Sequence, residues 1–267
     1  MNISILGCGW LGLPLAIELI AKGHIVKGST TSREKMVKLS AEGIIPYQIK
    51  LFEEGIQGDI SSFLNGTEVL IIDIPPGLRK DPTENFIAKI GRLKDHVDKS
   101  SIQHLIFVSS TAVFEDREDF PVYTEEDEPN GAQANSEQLK GAEKLLLSEN
   151  FKTSIVRFGG LFGPGRHPVN YLSGRKHIKD PNGPVNLIHL DDCLGLINAI
   201  LESGITGIIH GVHPDHPTKK VYYKSVATDK NLAIPEFDEF TTSKGKIITS
   251  VRVEEELGFT FNRNLMD

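Results

Sequence analysis

The sequence predicts an α/β protein with a doubly wound parallel sheet, and two observations carry this prediction. Short, nearly continuous apolar runs recur along the first two-thirds of the chain, as expected of strands covered on both faces. Amphipathic stretches of helix length separate these runs, so that strand–helix–strand units repeat. The predicted strands are Ile3–Leu6, His24–Val26, Ile44–Gln48, Glu68–Ile72, His104–Val108 and Thr153–Arg157. The predicted helices are Leu11–Ala21, Arg33–Ala41, Thr83–Asp98 and Gln133–Glu149.

The last third of the chain follows a different pattern. Glycine and proline crowd the stretch from Gly159 to Pro184, which is therefore too rich in turn residues to form a core layer. Beyond it we expect a small lobe that shares the edge of the sheet. Its predicted elements are strands at Val185–His189, Gly207–His210 and Lys246–Ile248, helices at Asp191–Glu202 and Thr218–Lys230, and a short helix capped by Ser250.

Composition excludes several classes of protein. The 267 residues include 29 Lys and Arg against 36 Asp and Glu, a net charge of −7, and an acidic chain without a basic patch is not expected to bind nucleic acid. No apolar run approaches ~20 residues and no basic region precedes the first one, so we expect neither a membrane span nor a secretory signal. Two cysteines, Cys8 and Cys193, are too few for a disulfide framework. We expect a cytoplasmic protein.

The strongest chemical signal is the glycine pattern that closes the first strand and opens the first helix. In Gly7-Cys-Gly9-Trp10-Leu11-Gly12, Gly7 permits the tight turn, Gly9 lets the backbone approach a pyrophosphate, and Gly12 allows the helix to pack on the strand. The start of the helix offers free N–H groups and a positive dipole end to an anion. The sequence therefore predicts a dinucleotide site in this loop, Trp10 and Leu11 included.

The end of the second strand is expected to contact the adenosine ribose. An NAD site places an acid about 20 residues after the glycines, but no acid occurs between Glu18 and Glu34. We interpret Glu34 as the partner of Thr31 in a capping box. The hydroxyls of Thr31 and Ser32 and the guanidinium of Arg33 suit a 2′-phosphate. We therefore expect NADP as the cofactor, with NAD as the alternative; an exposed Arg33 without a ligand is the competing interpretation.

Four segments in order resemble a known family. They are the glycine loop, His104–Phe114, Arg157–Arg166 and Asn186–Asp192. Together they resemble the extended short-chain dehydrogenase/reductases, the NAD-dependent epimerase/dehydratase family, over about residues 1–210. The likeness is greatest to the atypical YeeZ-like branch, to which the turn Ile74-Pro75-Pro76-Gly77 also points.

The resemblance implies a Rossmann-type NAD(P)-binding domain over residues 1–165 and a small substrate-binding lobe over residues 166–267. It also implies Ile74, Pro75, Ser109 and Gly160 as further cofactor contacts. A small-molecule substrate and a monomer or homodimer are expected on the same ground.

The catalytic motif of the family is incomplete in this chain. In the family a serine or threonine polarises a substrate oxygen, and a Tyr-x-x-x-Lys pair transfers the proton because the lysine and cofactor lower the pKa of the tyrosine. Ser110 matches the serine and Lys140 the lysine, but Asn135 or Ser136 takes the place of the tyrosine. The alternatives are a capping or cofactor-contacting Ser110 and a solvated Lys140. The first family glycine is also replaced, by Leu6.

Two further groups of residues have the chemistry of a site. Arg166 and His167 follow the glycine-rich turn and are candidates for substrate contact, although Arg166 could equally brace that turn. His210, His213 and His216 have side chains that could ligate zinc, but the stretch crosses a strand end and two prolines, so we favour polar loop histidines and predict no metal.

Acidic runs occupy residues 115–119 and 125–128, and such runs are usually solvated loops. A run of this kind beside the pocket would disfavour strongly anionic substrates.

Two functions follow. The first is an oxidoreductase or isomerase that uses NADP(H) on a small carbonyl or hydroxyl compound, with Ser110 polarising the substrate oxygen. The second is a non-catalytic NADP(H)-binding sensor or regulatory protein, which the missing tyrosine favours.

Overall fold

The computed structural model describes residues 1–78, 81–147 and 150–266. The strands, in chain order, are β1 (Asn2–Leu6), β2 (Ile25–Thr30), β3 (Ile45–Gln48), β4 (Lys50–Leu51), β5 (Ile56–Gln57), β6 (Val69–Ile72), β7 (His104–Ser110), β8 (Val122–Tyr123), β9 (Lys152–Phe158), β10 (Gly160–Phe162), β11 (Leu187–His189), β12 (Gly207–Gly211) and β13 (Ile247–Ile248). The helices are α1 (Gly12–Ala21), α2 (Arg33–Ala41), α3 (Ile60–Leu64), α4 (Phe86–Val97), α5 (Ala134–Leu146), α6 (Val169–Leu172), α7 (Leu190–Ser203), α8 (Lys219–Asp229) and α9 (Val251–Glu255).

The central sheet confirms the predicted fold class. Its seven strands lie in the order β12-β9-β7-β6-β1-β2-β3, and β1 pairs in parallel with both β2 and β6. The chain moves outward from β1 to β3 on one side and from β6 to β12 on the other, so the strand order reverses between β1 and β6. Doubly wound sheets bind ligands at this reversal, outside the carboxyl ends of the strands.

The interior strands are covered on both faces. Every residue of β6 is buried, as are Ile3 to Leu6 of β1, and successive strand residues point to opposite faces. Leu15 and Leu19 of α1 are also fully buried, because they lie four residues apart on one face of the helix. The continuous apolar runs of the sequence are therefore the signature of a buried parallel sheet.

The chain divides into two compact units. Unit 1 comprises Met1–Ser109, Gln133–Val156 and Gly204–Gly207, and unit 2 comprises Ser110–Ala132, Arg157–Ser203 and the chain from Ile208 onward. The boundary at residue 165 that the sequence suggests stays a prediction. No helix in the described parts of the chain is both long and apolar enough to cross a bilayer.

Two details of helix capping in unit 1 differ from the expectations. Helix α4 begins at Phe86 instead of Thr83, because the side chain of Asn85 accepts a hydrogen bond within the first turn and sets the start. Helix α2 begins at Arg33 as expected, but Ser32 is its N-cap and no side chain caps it. The predicted capping box of Thr31 with Glu34 is therefore wrong.

The glycine- and proline-rich stretch of unit 2 does contribute to a core, contrary to the expectation. Strand β10 pairs in parallel with β11, and Phe162 and Val169 are fully buried in a cluster with Tyr222 and Val226 of α8. Glycine and proline mark the turns of this stretch, while its few large apolar residues provide the packing. Ser250 is the N-cap residue of the last helix, as expected, but its hydroxyl bonds the backbone of Val212 instead of the first turn of the helix.

Candidate functional site

The glycine loop begins where β1 ends, and two of its glycines are required by the protein's own packing. Gly7 has a φ of 111°, a region that favours glycine, and a Cβ there would lie 2.1 Å from the carbonyl oxygen of Asp73. A Cβ at Gly12 would lie 2.2 Å from the carbonyl oxygen of Gly7. Neither position can accept a side chain without moving the backbone of a neighbouring segment.

Gly9 is different, because nothing in the protein requires a glycine there. Its φ lies outside the left-handed region, the residue is exposed, and a Cβ would meet no atom within 4 Å. The absence of a side chain therefore leaves open space against the backbone of the loop. Such a cradle suits a group that approaches the loop from outside, as a pyrophosphate does in a dinucleotide fold.

The amides of the loop fall into two sets. The N–H of Gly7 donates to Ser29 Oγ at 2.9 Å, and the N–H of Gly9 donates to the carbonyl oxygen of Gly7 at 2.8 Å. Within the described chain, the N–H groups of Leu11 and Gly12 donate to no carbonyl. They lie at the N-terminus of the ten-residue α1, where free amides and the helix dipole stabilise an anion.

A cavity of about 410 Å³ opens beside the loop in unit 1, at the carboxyl ends of β1, β2 and β6. This volume is within the ordinary range for small-molecule sites. Five of the residues predicted to contact a cofactor line it, namely Gly7, Gly9, Thr31, Ile74 and Pro75. The other predicted residues of unit 1 are not among its lining residues: Trp10, Leu11, Gly12, Ser32, Arg33 and Ser109.

The cavity also has lining residues that the sequence reasoning missed. Lys35 of α2 and Lys50 of β4 line the cavity, whereas Arg33 does not. Asp73, directly after β6, lines it as well, and its Oδ2 would lie 3.2 Å from a Cβ at Gly12. Lys50 gave no signal in the sequence, since it follows the third strand and belongs to no motif.

Cys8, inside the loop, has no reactive character. Burial raises the pKa of its thiol to about 12, and the negative charge of Asp73 adds to that shift. The thiolate is the nucleophilic form, so this thiol stays protonated and inert at neutral pH. Its place in the loop is explained by packing.

The two serines after the fifth predicted strand have different environments. In unit 1, Ser109 is buried and its Oγ donates to Glu143 Oε1 at 2.5 Å, so its hydroxyl is held by a buried carboxylate. In unit 2, Ser110 Oγ accepts from the N–H of Ala112 at 3.2 Å and caps the 3₁₀ turn Thr111–Val113. Its hydroxyl hydrogen can still be donated to a substrate oxygen.

Helix α5 carries the positions that correspond to the family's proton-transfer pair. Ser136 is buried and Asn135 is half-buried in its first turn. The Nζ of Lys140 donates to Glu137 Oε1 at 2.7 Å, one turn earlier on the same helix. Neither Asn135 nor Ser136 can exchange a proton near neutral pH, so α5 provides no acid or base at this position.

His167 is buried in unit 2, and both of its ring nitrogens are engaged. The N–H of Val169 donates to Nδ1 at 3.1 Å, and Nε2 lies 3.1 Å from the hydroxyl of Tyr222. That hydroxyl donates in turn to the carbonyl oxygen of Leu265 at 2.7 Å. Burial lowers the pKa of His167 to about 4, so the ring is neutral. Arg166 is exposed, and its backbone closes a turn with Gly163.

Two tyrosines of unit 2, Tyr222 and Tyr223, are not suited to replace the missing proton donor. Burial raises the pKa of Tyr222 and raises the pKa of Tyr223 to about 12. A tyrosine that transfers a proton near neutral pH needs a shift in the opposite direction.

The three spaced histidines and Gly160, all in unit 2, are held by separate partners. His210 Nδ1 is 3.0 Å from the carbonyl oxygen of Thr249, and His216 Nδ1 is 3.1 Å from a different carbonyl. His213 Nδ1 accepts from a backbone N–H two residues along. Among the described residues, no group of three side chains is placed to hold a metal ion. Gly160 pairs with β11, and a Cβ there would lie 2.7 Å from a leucine methyl carbon.

Solved structures share this fold at low sequence identity. The human epimerase family protein SDR39U1 with NADPH has a TM-score of 0.76 and 16% identity, over 100% of this chain and 97% of that chain. The UDP-glucuronic acid 4-epimerase of Bacillus cereus in complex with NAD has a TM-score of 0.80 and 15% identity, over 100% and 95%. These similarities establish a fold shared with short-chain dehydrogenase/reductases and epimerases.

Sequence comparison gives a closer relationship. No family model matches the chain. A 3-diazoavenalumate denitrifying reductase of Streptomyces sp is 26% identical over 244 residues, which are 81% of this chain and 77% of that protein. Protein YeeZ of Escherichia coli (strain K12) is 33% identical over 265 residues, which are 97% of this chain and 95% of YeeZ. Because this similarity extends over almost the whole of both proteins, the chain belongs to the YeeZ family.

Proposed function

We propose that this chain is an oxidoreductase that uses NADP(H) to reduce a small electrophilic substrate without a tyrosine proton donor. Gly9 carries the proposal, because its missing side chain leaves open space at the start of α1, beside the N–H groups of Leu11 and Gly12, which donate to no carbonyl in the described chain. When bound, the dinucleotide would supply a hydride. The NADPH and NAD held by proteins of the same fold support this class of cofactor.

Different residues around the cradle suit different parts of a dinucleotide. The loop from Gly7 to Gly12 would hold the pyrophosphate through backbone amides. Thr31 would contact the adenosine ribose, and no acid competes with a 2′-phosphate at the end of β2. Ile74 and Pro75 would provide an apolar wall. This arrangement favours NADP over NAD.

The missing proton donor narrows the class of substrate. Reduction of a ketone or aldehyde needs a proton on oxygen, which water would have to provide here. A cationic acceptor needs none: an iminium ion becomes a neutral amine when it takes a hydride, and an aryl diazonium ion becomes an arene and N₂. The relative named as a 3-diazoavenalumate denitrifying reductase supports the cationic class.

A non-catalytic NADP(H) sensor is the second candidate, and two contacts favour it. The Ser110 hydroxyl oxygen caps a 3₁₀ turn, and the Lys140 ammonium is paired with Glu137. Both residues therefore have structural roles that explain their presence without catalysis.

Two measurements test the proposal. The chain has one tryptophan, Trp10, within the glycine loop, so its fluorescence should report titration with NADPH and NADH directly. Consumption of NADPH is then followed against a panel of aldehydes, ketones, iminium ions and aryl diazonium ions. We expect tighter binding of NADPH and turnover of cationic acceptors. Binding without turnover across the panel would support the sensor, and no binding of either nucleotide would eliminate both functions.

The Ser110→Ala variant tests whether Ser110 is a catalytic residue. It should bind NADPH as tightly as the wild type, because Ser110 belongs to no part of the glycine loop. With carbonyl substrates its turnover should fall, since the polarising hydroxyl is lost, whereas with cationic acceptors turnover should be unchanged.

A further inference from the structure

The cavity in unit 1 is lined by two lysines that no motif predicts. Lys35 lies in the first turn of α2, and Lys50 begins β4 after the third strand of the sheet. Both line the cavity together with Thr30 and Thr31, which end and follow β2. Arg33, the sequence-based candidate for this end of the site, does not line it. Two separate segments of the chain therefore contribute lysines to the same cavity.

These two charges have no counter-ions among the residues that the structure describes. Neither Lys35 nor Lys50 forms an ion pair there, and the Lys50 ammonium instead lies 4.7 Å from the centre of the Phe52 ring. The third lysine of the cavity, Lys89, is already paired with the carboxylate of Glu84. Both lysines are exposed, so an anion that enters the cavity can pair with them without displacing a protein carboxylate of the described chain.

Two acidic side chains also line the cavity, and each has a neighbour of its own. The Asp73 carboxylate lies close to Gly12 at the start of α1. The carboxylate of Glu84 lies against Gly77, in the turn after β6, and is paired with Lys89. At the end of β2, Thr30 and Thr31 provide neutral donors that a phosphate also accepts.

We propose that Lys35 and Lys50, and not Arg33, bind the 2′-phosphate of NADP(H). The inference rests on the proposed function, because it assumes that the adenosine ribose lies at the end of β2. A phosphate monoester carries close to two negative charges near neutral pH, which two ammonium groups match. Lys50 acts as a specificity residue contributed from β4, outside the helix that follows β2.

The test uses the full chain and nucleotide affinity measured by Trp10 fluorescence. The variants are Lys35→Gln, Lys50→Gln and the double variant, with Arg33→Gln as the matched control. Each lysine variant should weaken NADPH binding about tenfold and leave NADH binding within twofold, so that the double variant loses its preference. Arg33→Gln should change neither affinity. In the wild type, 2′-AMP should compete with NADPH and 5′-AMP should not. In the double variant, the competition by 2′-AMP should disappear.

Several results would overturn the inference. It fails if Arg33→Gln weakens NADPH binding more than the double lysine variant, or if the lysine variants weaken NADH and NADPH equally. It also fails if the wild type binds NADH more tightly than NADPH. The first two outcomes leave the proposed function standing, whereas a preference for NADH would also remove its choice of NADP over NAD. Absence of binding of both nucleotides to the wild type would instead refute the proposed function itself. Unchanged thermal unfolding of each variant shows that the substitutions act on the site.

Discussion

Alanine substitutions at the three loop glycines should distinguish the glycines that the fold requires from the glycine that a bound ligand requires. Gly7→Ala forces a side chain into the left-handed region and to within 2.1 Å of the Asp73 carbonyl oxygen. The conformational term is roughly 1–2 kcal/mol and overpacking adds about 1–3 kcal/mol. Gly12→Ala suffers the overpacking alone, with a Cβ 2.2 Å from a carbonyl oxygen. Gly9→Ala has neither problem, because a Cβ there contacts nothing.

The stability of the three variants should therefore differ in order. Replacing an unstrained glycine by alanine stabilises a protein by about 0.4–1 kcal/mol, because the unfolded chain loses freedom. At about 2–4 °C for each kcal/mol, Gly7→Ala should lower Tm by roughly 4–20 °C, while Gly9→Ala should leave Tm unchanged or slightly raised. Gly12→Ala should lie between them. Thermal unfolding followed by circular dichroism measures all three.

Gly9→Ala, which should not lower the stability of the protein, should lower its affinity for NADPH. A methyl group in the open cradle occupies space that the pyrophosphate needs, so Gly9→Ala should lose at least about tenfold in NADPH affinity, or 1.4 kcal/mol. Titration by Trp10 fluorescence measures it. Gly9→Ala with wild-type affinity would refute the reasoning, since the bare position would then serve no ligand. Unfolding of Gly9→Ala at the temperature of Gly7→Ala would refute the packing argument.

Three other predictions concern the stability of the fold. Lys27 donates three hydrogen bonds to carbonyl oxygens at the end of α3, at 2.6 to 3.3 Å, so Lys27→Met should cost about 1–2 kcal/mol and lower the urea midpoint. Burial lowers the pKa of His210 to about 4, so as the pH falls the unfolded chain binds a proton at this residue before the folded chain does. The free energy of unfolding should therefore decrease between about pH 6.5 and pH 4, by about 1.4 kcal/mol per pH unit. His210→Gln should flatten that slope. Tyr222→Phe should cost about 1–3 kcal/mol by freeing the buried carbonyl of Leu265, and an unchanged Tm would contradict this.

The sequence was sufficient for those parts of the molecule that depend on local pattern. Continuous apolar runs identify the strands of the central sheet because both faces of each strand are buried. The glycine loop could be read for the same reason, since the positive φ of Gly7 and the contact of Gly12 with the Gly7 carbonyl oxygen belong to a single strand–turn–helix unit. Helix α2 was predicted over its full length, but its capping was not. Either Thr31 or Ser32 could be the N-cap, and only the backbone angles decide which residue it is.

Long-range placement was beyond the sequence. Lys50 lines the cavity from β4, a two-residue strand that follows the edge strand β3, and no local pattern predicts that placement. Likewise, His167 could be recognised as a candidate substrate contact from its position after a turn, but not as the partner of Tyr222, 55 residues away. Contacts between distant segments depend on how the helices pack, and single residues give no signal of that packing.

The cofactor cradle and the proton donor of the family are separable in physical terms, and this chain retains the residues for the first without the second. The cradle consists of the backbone of the loop, Gly9 and the start of α1, whereas the position of the family's tyrosine lies on α5. Under the proposed function, the absence of that tyrosine removes a proton donor without removing any residue of the cradle. A bare Gly9 forgoes the stability that an alanine would add, as expected of a position kept open for a ligand. Under the same proposal, a substrate that accepts a hydride and needs no proton is the chemistry that fits a site without that tyrosine.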